Sequence, residues 1–252
     1  MRRYLSSASV VIILLILWEV IVRVFAVPKY ILPAPTQVIK ALYIDYNLLF
    51  GHSMQTVFEA LAGFMLAILA GLALAVLMGL IPSVKKTFYP LLVISQTIPI
   101  VAVAPILIIW FGYGMMPKII VVALVCFFPI TVSLVEGLAS VDQDMVKLLL
   151  VMGAKPWQIF KIVQFPGSLP AFFAGLKISV TYSIMGAVIG EWLGASQGLG
   201  VYLTRSMHSF LIEKVFAAIV VIAVLSLLLF ALVSFFSRLI MPWYYQKSPW
   251  QG

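Results

Sequence analysis

Charged side chains are scarce in this sequence. Of its 252 residues, 10% are charged and 64% are hydrophobic, whereas soluble domains average roughly 25% and 45–50%. A water-soluble globule of this composition would lack enough polar surface to cover its core. The chain is therefore predicted to be an integral membrane protein. Its net charge of +8 would then lie between spans and set orientation, with no nucleic acid as partner.

Side chains with reactive chemistry are also few. There is one cysteine, Cys126, and there are two histidines, His52 and His208, without acidic or thiol neighbours at ligand spacing. The pattern predicts no catalytic residue, no disulfide and no metal site, and places both histidines on the surface. The phosphate-loop sequence G-x-x-x-x-G-K-[ST] is absent. No cofactor is expected in this chain, and any ATP and Mg²⁺ would be bound by a partner subunit.

Apolar runs long enough to cross about 30 Å of hydrocarbon at roughly 20 residues per helix occur six times. They lie near residues 10–27, 57–81, 91–111, 119–135, 176–194 and 215–240. Stretches such as LAILAGLALAVLMGLI are apolar on every face, unlike the alternating strands of a barrel. The predicted fold is an all-α, polytopic membrane bundle of about six transmembrane helices, a single transmembrane domain over residues 1–252.

Lys and Arg residues between the runs predict the orientation of the chain. With cytoplasmic termini, ten of them lie on the cytoplasmic side and six on or near the other, which is the expected bias. The first run holds Glu19 and Arg23, four residues apart, which predicts a mutual ion pair. These charges, and the lack of an A-x-A site, favour a retained helix over a cleaved signal peptide.

Three carboxylates, Glu19, Glu59 and Glu191, lie in predicted spans. Ion-driven carriers usually keep several, so a standalone secondary carrier is the weaker alternative. Two ladders of small residues predict close helix packing, and prolines at 99, 105 and 129 predict bent or broken spans. The ladders comprise Gly63, Ala67, Gly71, Ala75 and Gly79, and Gly186, Gly190 and Gly194.

Polar side chains near these bends are candidates for a substrate pathway. A Ser or Thr inside a span also often bonds only its own backbone, so both interpretations stay open. The candidate set holds no buried Arg or Lys for an anion, which favours a neutral or aromatic solute. The candidates are Ser95, Gln96, Thr97, Thr131, Thr181 and Tyr182.

A polar segment, residues 136–175, separates the fourth and fifth runs on the predicted cytoplasmic side. Asp142 and Asp144 favour a helix start, and Gly153 a helix end. Pro156 suits a first helical position, so a short amphipathic helix is expected from there to Pro166. Its composition fits a lipid surface and a protein groove equally well. Its apolar residues are Trp157, Ile159 and Phe160, and its polar residues Lys155, Gln158 and Lys161.

The spacing from Gly153 to VQFP resembles the cytoplasmic loop of binding-protein-dependent ABC importer permeases. That motif runs E-A-A, three residues, Gly, nine residues, then I-x-L-P. Here Lys147, Leu148 and Leu149 replace E-A-A and Phe165 replaces Leu, so a role of the motif's Glu does not carry over. The stretches LPAPTQV, IPIVAVAPILIIWFGYG, SVDQDMVKLLLVMGA and EWLGASQGLG are similar to permeases of the nitrate, sulfonate and taurine type. IGEWLGASQGLG and WFGYGMMPKIIVVALVCFFPI look most like permeases for thiamine pyrimidine precursors.

The resemblance implies a type I ABC importer transmembrane fold, with residues 53–240 as the permease core and a docking helix over 154–163. It implies a bacterial inner-membrane location, a second permease copy, two ATPase subunits and an external solute-binding protein received by residues 28–56, 112–118 and 195–213. The implied solute is a thiamine pyrimidine precursor, with a nitrate, sulfonate or taurine type as alternative. A membrane anchor without a solute is a further class. The implied ATPase-coupling residues are Gly153, Ala154, Lys155, Trp157, Phe160 and Pro166.

Overall fold

The computed structural model describes residues 2–245, with side chains from residue 9 onward. These residues form helices without strands, which confirms the all-α prediction. Lys247 and the side chains of Arg2 and Arg3, which entered the orientation argument, lie outside the described residues. The helices are α1 (Arg2–Val24), α2 (Pro35–Ile44), α3 (Tyr46–Leu80), α4 (Pro82–Ser95), α5 (Ile100–Phe111), α6 (Met115–Ala139), α7 (Gln143–Val151), α8 (Pro156–Ile159), α9 (Phe165–Trp192), α10 (Leu199–His208), α11 (Ile212–Ile240) and α12 (Pro242–Tyr245).

Helix α6 lies at the centre, packed between α3 and α9. A Cβ added at Gly63 of α3 would collide with Val122 of α6, and a Cβ added at Gly186 of α9 would stand 3.3 Å from the Cα of the same valine. A Cβ added at Gly190 would stand 3.2 Å from the Cα of Lys118. Helices without side chains at these points gain dispersion contacts that lipid cannot supply. The predicted packing role of the ladders is confirmed, and both ladders pack on one helix.

The second ladder is shorter than predicted. Helix α9 ends at Trp192, and Gly194 lies beyond it with φ +117°, against the ring of Tyr113. Glycine adopts this left-handed backbone conformation readily because it has no Cβ. Gly194 therefore serves the turn after α9, which a four-residue spacing alone does not reveal.

Four of the described helices have the length and hydropathy of a membrane span: α3, α6, α11 and the continuous stretch Pro156–Trp192. Helices α4 and α5 pass the same test together but are bent by 99°. The span predicted over 91–111 is therefore a broken helix, as the proline at position 99 predicted. Pro99 caps α5 in an extended conformation, and because it lacks an N–H it cannot continue α4. Pro105 and Pro129 lie inside α5 and α6 without ending them.

The helix end predicted at Pro166 is wrong. A π-helical turn, Phe160–Gln164, joins α8 directly to α9, and the N–H of Phe165 donates to the carbonyl of Phe160, five residues back. The wider turn relieves the clash that a proline ring makes with an α-helical carbonyl. Pro156–Trp192 is thus one helix of 37 residues, about 55 Å long at 1.5 Å per residue.

The bundle has two ends, which we name by residues. At the Glu191 end, α3 and α6 begin, α9 ends, and Lys214 of α11 contacts Asp45 before α3 at 2.7 Å. At the Trp157 end α3 and α6 end, with Gly79 near Leu138 and Phe160, and α7 and α8 follow. The two ends therefore collect different parts of the sequence, and each holds one group of predicted site residues.

Candidate functional site

The three segments predicted to receive a binding protein, 28–56, 112–118 and 195–213, meet at the Glu191 end. The N–H of Gly198 donates to Nδ1 of His52 at 2.9 Å, and Tyr113 packs on Gly194. His52 is buried, so its predicted surface position is wrong, whereas His208 is exposed. The imidazole accepts a hydrogen bond from a chain segment 146 residues away, which gives a buried polar ring its partner.

Glu191, at the end of α9, joins the following loop to α3 through hydrogen bonds. One of its oxygens accepts a hydrogen bond from the hydroxyl of Thr56 at 2.6 Å, and the other from the N–H of Gly200 at 2.6 Å. The Thr56 oxygen in turn accepts from the N–H of Leu199 at 2.8 Å. Glu191 and Thr56 are fully buried. The EWLGASQGLG stretch therefore folds back on its own glutamate, and we name Glu191, Thr56, Leu199 and Gly200 the Glu191 lock.

A second carboxylate, Glu59 of α3, lies buried beside this lock. Lys118 of α6 forms an ion pair with it, and the side-chain amide of Gln55 donates to the same oxygen at 2.6 Å. The other oxygen of Glu59 has no partner among the described residues. A buried ion pair is costly to desolvate, but breaking it by losing one partner costs more. An ionisable Lys118 beside an apolar run is the sequence signal that could have predicted this pair.

Asp45 joins the start of α3 to α10 and α11. It accepts hydrogen bonds from Lys214 and from the hydroxyl of Tyr202, both at 2.7 Å. Burial alone would raise the pKa of Asp45, but these two donors and the positive charge of Lys214 lower it below its ordinary value. Burial and the neighbouring carboxylate raise the pKa of Tyr202. At ordinary pH Asp45 therefore stays ionised and Tyr202 keeps its proton.

The predicted coupling residues lie at the opposite, Trp157 end. Asp142 caps α7 by accepting from the N–H of Asp144 at 2.8 Å, as predicted. Gly153 closes α7 with φ +82°, and the N–H of Ala154 donates to Leu149 at 2.9 Å. This is the glycine-based Schellman end of a helix. A Cβ added at Gly153 would meet nothing within 4 Å, so the backbone conformation, and not packing, requires glycine there.

The turn after Gly153 presents one face outward. The N–H of Lys155 donates to the side-chain Oε1 of Gln158 at 2.7 Å. Trp157 is 57% exposed, whereas Phe160 and Ile159 are buried. Phe160 packs into the main core and stacks on Trp157 at 5.5 Å between ring centres, which positions the indole. Pro166 is half-buried at the start of α9.

The candidate pathway residues are spread over separate elements. Ser95, Gln96 and Thr97 lie exposed at the bend between α4 and α5. Thr131 is buried, donates to the Phe127 carbonyl at 2.7 Å and lies against Gly71. Its hydroxyl thus satisfies its own backbone at the α3–α6 contact.

Thr181 and Tyr182 lie exposed on α9, and Thr181 donates to the Lys177 carbonyl at 3.0 Å. The predicted Glu19–Arg23 pair is present at 2.5 Å. Glu19 additionally accepts from the N–H of Thr36 at 3.0 Å, which anchors the first turn of α2 within the LPAPTQV stretch.

Curated proteins similar to this chain are membrane subunits of importers. The "Formylaminopyrimidine transport permease protein ThiX" of Halalkalibacterium halodurans is 39% identical over 92% of this chain and 93% of its own. The "Riboflavin transport system permease protein RibX" of Chloroflexus aurantiacus is 35% identical, over 92% and 87%. The "Taurine transport system permease protein TauC" of Escherichia coli is 29% identical, over 96% and 91%.

A solved structure of the MetNI methionine ABC transporter, in an inward-facing conformation, contains a chain with the same fold. Its TM-score is 0.68 at 18% identity, and the match covers 78% of this chain and 97% of that one. Residues 63–242 match the family described as "Binding-protein-dependent transport system inner membrane component". The protein belongs to this family and is a permease subunit of an ABC importer, a transport subunit of the membrane with several spans.

Proposed function

We propose that this permease passes a formylaminopyrimidine-type thiamine precursor through the membrane, using ATP hydrolysed on separate ATPase subunits. An external binding protein would deliver the solute at the Glu191 end. Two relatives, at 39% and 35% identity, are named for nitrogen heterocycles, formylaminopyrimidine and riboflavin. The relative named for taurine is 29% identical. The higher identity to the two relatives named for heterocycles supports a heterocyclic solute over a sulfonate.

The observation that supports an ATPase partner is the exposed apolar surface of α7 and α8. None of the residues of α7 is buried, although the helix is rich in apolar side chains. Together with Trp157 they form a patch outside the long spans, of the kind that marks an interaction site. Its exposed apolar members are Met145, Leu148, Leu150, Val151, Met152 and Trp157.

Continuity of the helix supports a mechanism for coupling. Because Pro156–Trp192 is one helix, a force on Trp157 moves α9 as a body, and with it Glu191 at the far end. ATP would drive this movement by binding one conformation of the ATPase pair more tightly than the other. We infer cytoplasmic termini and a second permease copy from the charge bias and the family resemblance. Lipid covers the remaining apolar surface in this proposal.

The test is a Trp157→Ala substitution in the importer reconstituted with its ATPase and binding protein. An aromatic anchor at an interface contributes about 2 kcal/mol, so we expect affinity for the ATPase to fall about thirtyfold. Solute-stimulated ATP hydrolysis should fall with it. Trp243→Ala is the matched control, because Trp243 on α12 is 56% exposed, close to the 57% of Trp157. Equal effects of both substitutions, or none from Trp157→Ala, would reject docking at this surface.

The second candidate is a permease of the sulfonate and taurine type, supported by relatives at 30% and 29% identity. Measuring which solute the cognate binding protein retains separates it from the first. ATP-independent uptake without an ATPase would instead indicate a secondary carrier.

A further inference from the structure

A half-open cavity of about 410 Å³ lies at the Glu191 end. Its walls come from α3, from the first turn of α6 and the turn before it, and from the loop after α9. Polar and aromatic side chains line it together. Those that the argument uses are Gln55, Tyr113, Lys118, Ser196 and Gln197.

Among the described residues, the one charged side chain that lines this cavity is Lys118, and its ammonium is already paired with Glu59. Arg205 contacts the Ser196 carbonyl at 3.4 Å, but its side chain lines a separate cavity. The second carboxylate nearby, Glu191, is held by neutral donors. An entering sulfonate would therefore compete with a buried carboxylate for one lysine, which is unfavourable at low dielectric. A neutral solute meets no such penalty.

The lining does offer hydrogen bonds to a neutral polar solute. The Gln55 amide nitrogen is used by Glu59, which leaves its carbonyl oxygen facing no partner among the described residues. Gln197 is exposed at the cavity, and its amide can donate and accept. A solute with both donors and acceptors on one edge, such as an aminopyrimidine, matches this set.

Tyr113 supplies an aromatic face at the rim. Its ring lies against Gly194, where an added Cβ would stand 2.6 Å from a ring carbon. The rest of the ring is open, since the residue is 80% exposed. Planar rings stack on such faces in offset geometry. Glycine at position 194 thus lets the tyrosine lie flat beside the cavity.

We infer that this cavity is an entry site that binds an uncharged, planar, hydrogen-bonding heterocycle before it crosses the membrane. The inference rests on the proposed function and adds the residues that select the solute. Tyr113 recognises the ring, and Gln55 and Gln197 recognise its polar edge. The Glu191 lock holds the loop that carries Ser196 and Gln197.

The first test uses thiol protection in the assembled permease–ATPase complex in nanodiscs. The single native thiol, Cys126, is buried, so a Ser196→Cys variant reacts with maleimide at one exposed position. A formylaminopyrimidine should slow labelling hyperbolically, by about tenfold at ten times its dissociation constant. Asn47→Cys, exposed at the same end, should be unprotected. No protection at position 196, or equal protection by taurine, overturns the inference.

The second test asks whether Tyr113 selects the ring. Tyr113→Ala should weaken protection by formylaminopyrimidine about fivefold, since an aromatic contact is worth about 1 kcal/mol, while Tyr113→Phe keeps it. Tyr43→Ala is the matched control, at 85% exposure. An unchanged dissociation constant in Tyr113→Ala rejects the site. If ATP-driven uptake of the pyrimidine persists in that case, the proposed function stands and only the entry site fails.

Discussion

Single residues at the Glu191 end illustrate how buried polar groups specify a membrane bundle. Glu191 accepts hydrogen bonds from two buried donors, the Thr56 hydroxyl and the Gly200 N–H, and a buried donor left without an acceptor costs about 1–3 kcal/mol. Gly198 and Gly200 are glycine at points where a Cβ would strike the Glu191 carboxylate. The side chain and the two glycines therefore form one unit, and replacing any member changes the loop.

We expect Glu191→Ala to release this loop. Leaving the Gly200 N–H and the Thr56 hydroxyl without this acceptor costs about 3 kcal/mol, so amide exchange at Gly200 should become roughly a hundredfold faster. Glu191→Gln should stay near the parent, because its amide can donate to Thr56 while the Thr56 hydroxyl turns to the His52 carbonyl at 3.1 Å. Hydrogen exchange with mass spectrometry measures both variants.

The control for this prediction is Glu136→Ala, at the Trp157 end, which should leave exchange at Gly200 unchanged. Slow exchange in Glu191→Ala would contradict the lock.

At the scale of elements, the helix from Pro156 to Trp192 is the distinctive feature. Its π-helical turn lies between the exposed Trp157 and the buried part of α9, next to Pro166. Such turns shift the faces of the two helical parts relative to each other. The direction in which Trp157 points therefore depends on Pro166.

We predict that Pro166→Ala allows the turn to tighten into α-helix. One residue of rotation turns Trp157 by about 100° relative to α9, so less solute should be transported per ATP hydrolysed. Pro170→Ala is the matched control, because Pro170 lies inside α9 without a π-helical turn beside it. Simultaneous measurement of uptake and phosphate release gives the ratio. The prediction is wrong if the two substitutions change that ratio equally.

At the scale of the whole molecule, the bundle separates two functional ends by the length of its central helices. The Glu191 end collects the predicted binding-protein segments, and the Trp157 end collects the unused apolar surface of α7 and α8. The helices between them expose large apolar side chains such as Ile109 and Trp110. That surface suits lipid or another subunit and not water.

We expect the two ends to face opposite sides of the membrane. In right-side-out vesicles, an impermeant maleimide should label Asn47→Cys before lysis and Met152→Cys only after it. Both positions are exposed, and the native Cys126 is buried. The reverse pattern would overturn the proposed orientation, and labelling of both before lysis would reject opposite-side placement.

The class of protein, the long helices, the break at Pro99, the Glu19–Arg23 pair and the turn at Gly153 could all be predicted before the fold was known. They follow from composition, periodicity and the backbone limits of proline and glycine, which act within a few residues. The packing of both ladders on α6, the hydrogen bond from Gly198 to His52 and the contact of Glu191 with Thr56 became visible with the three-dimensional fold. These partners lie 146 and 135 residues apart, and no local pattern encodes them. The helix end predicted at Pro166 is wrong for a related reason. Packing of Phe160 into the core stabilises a π-helical turn, which local helix propensity disfavours.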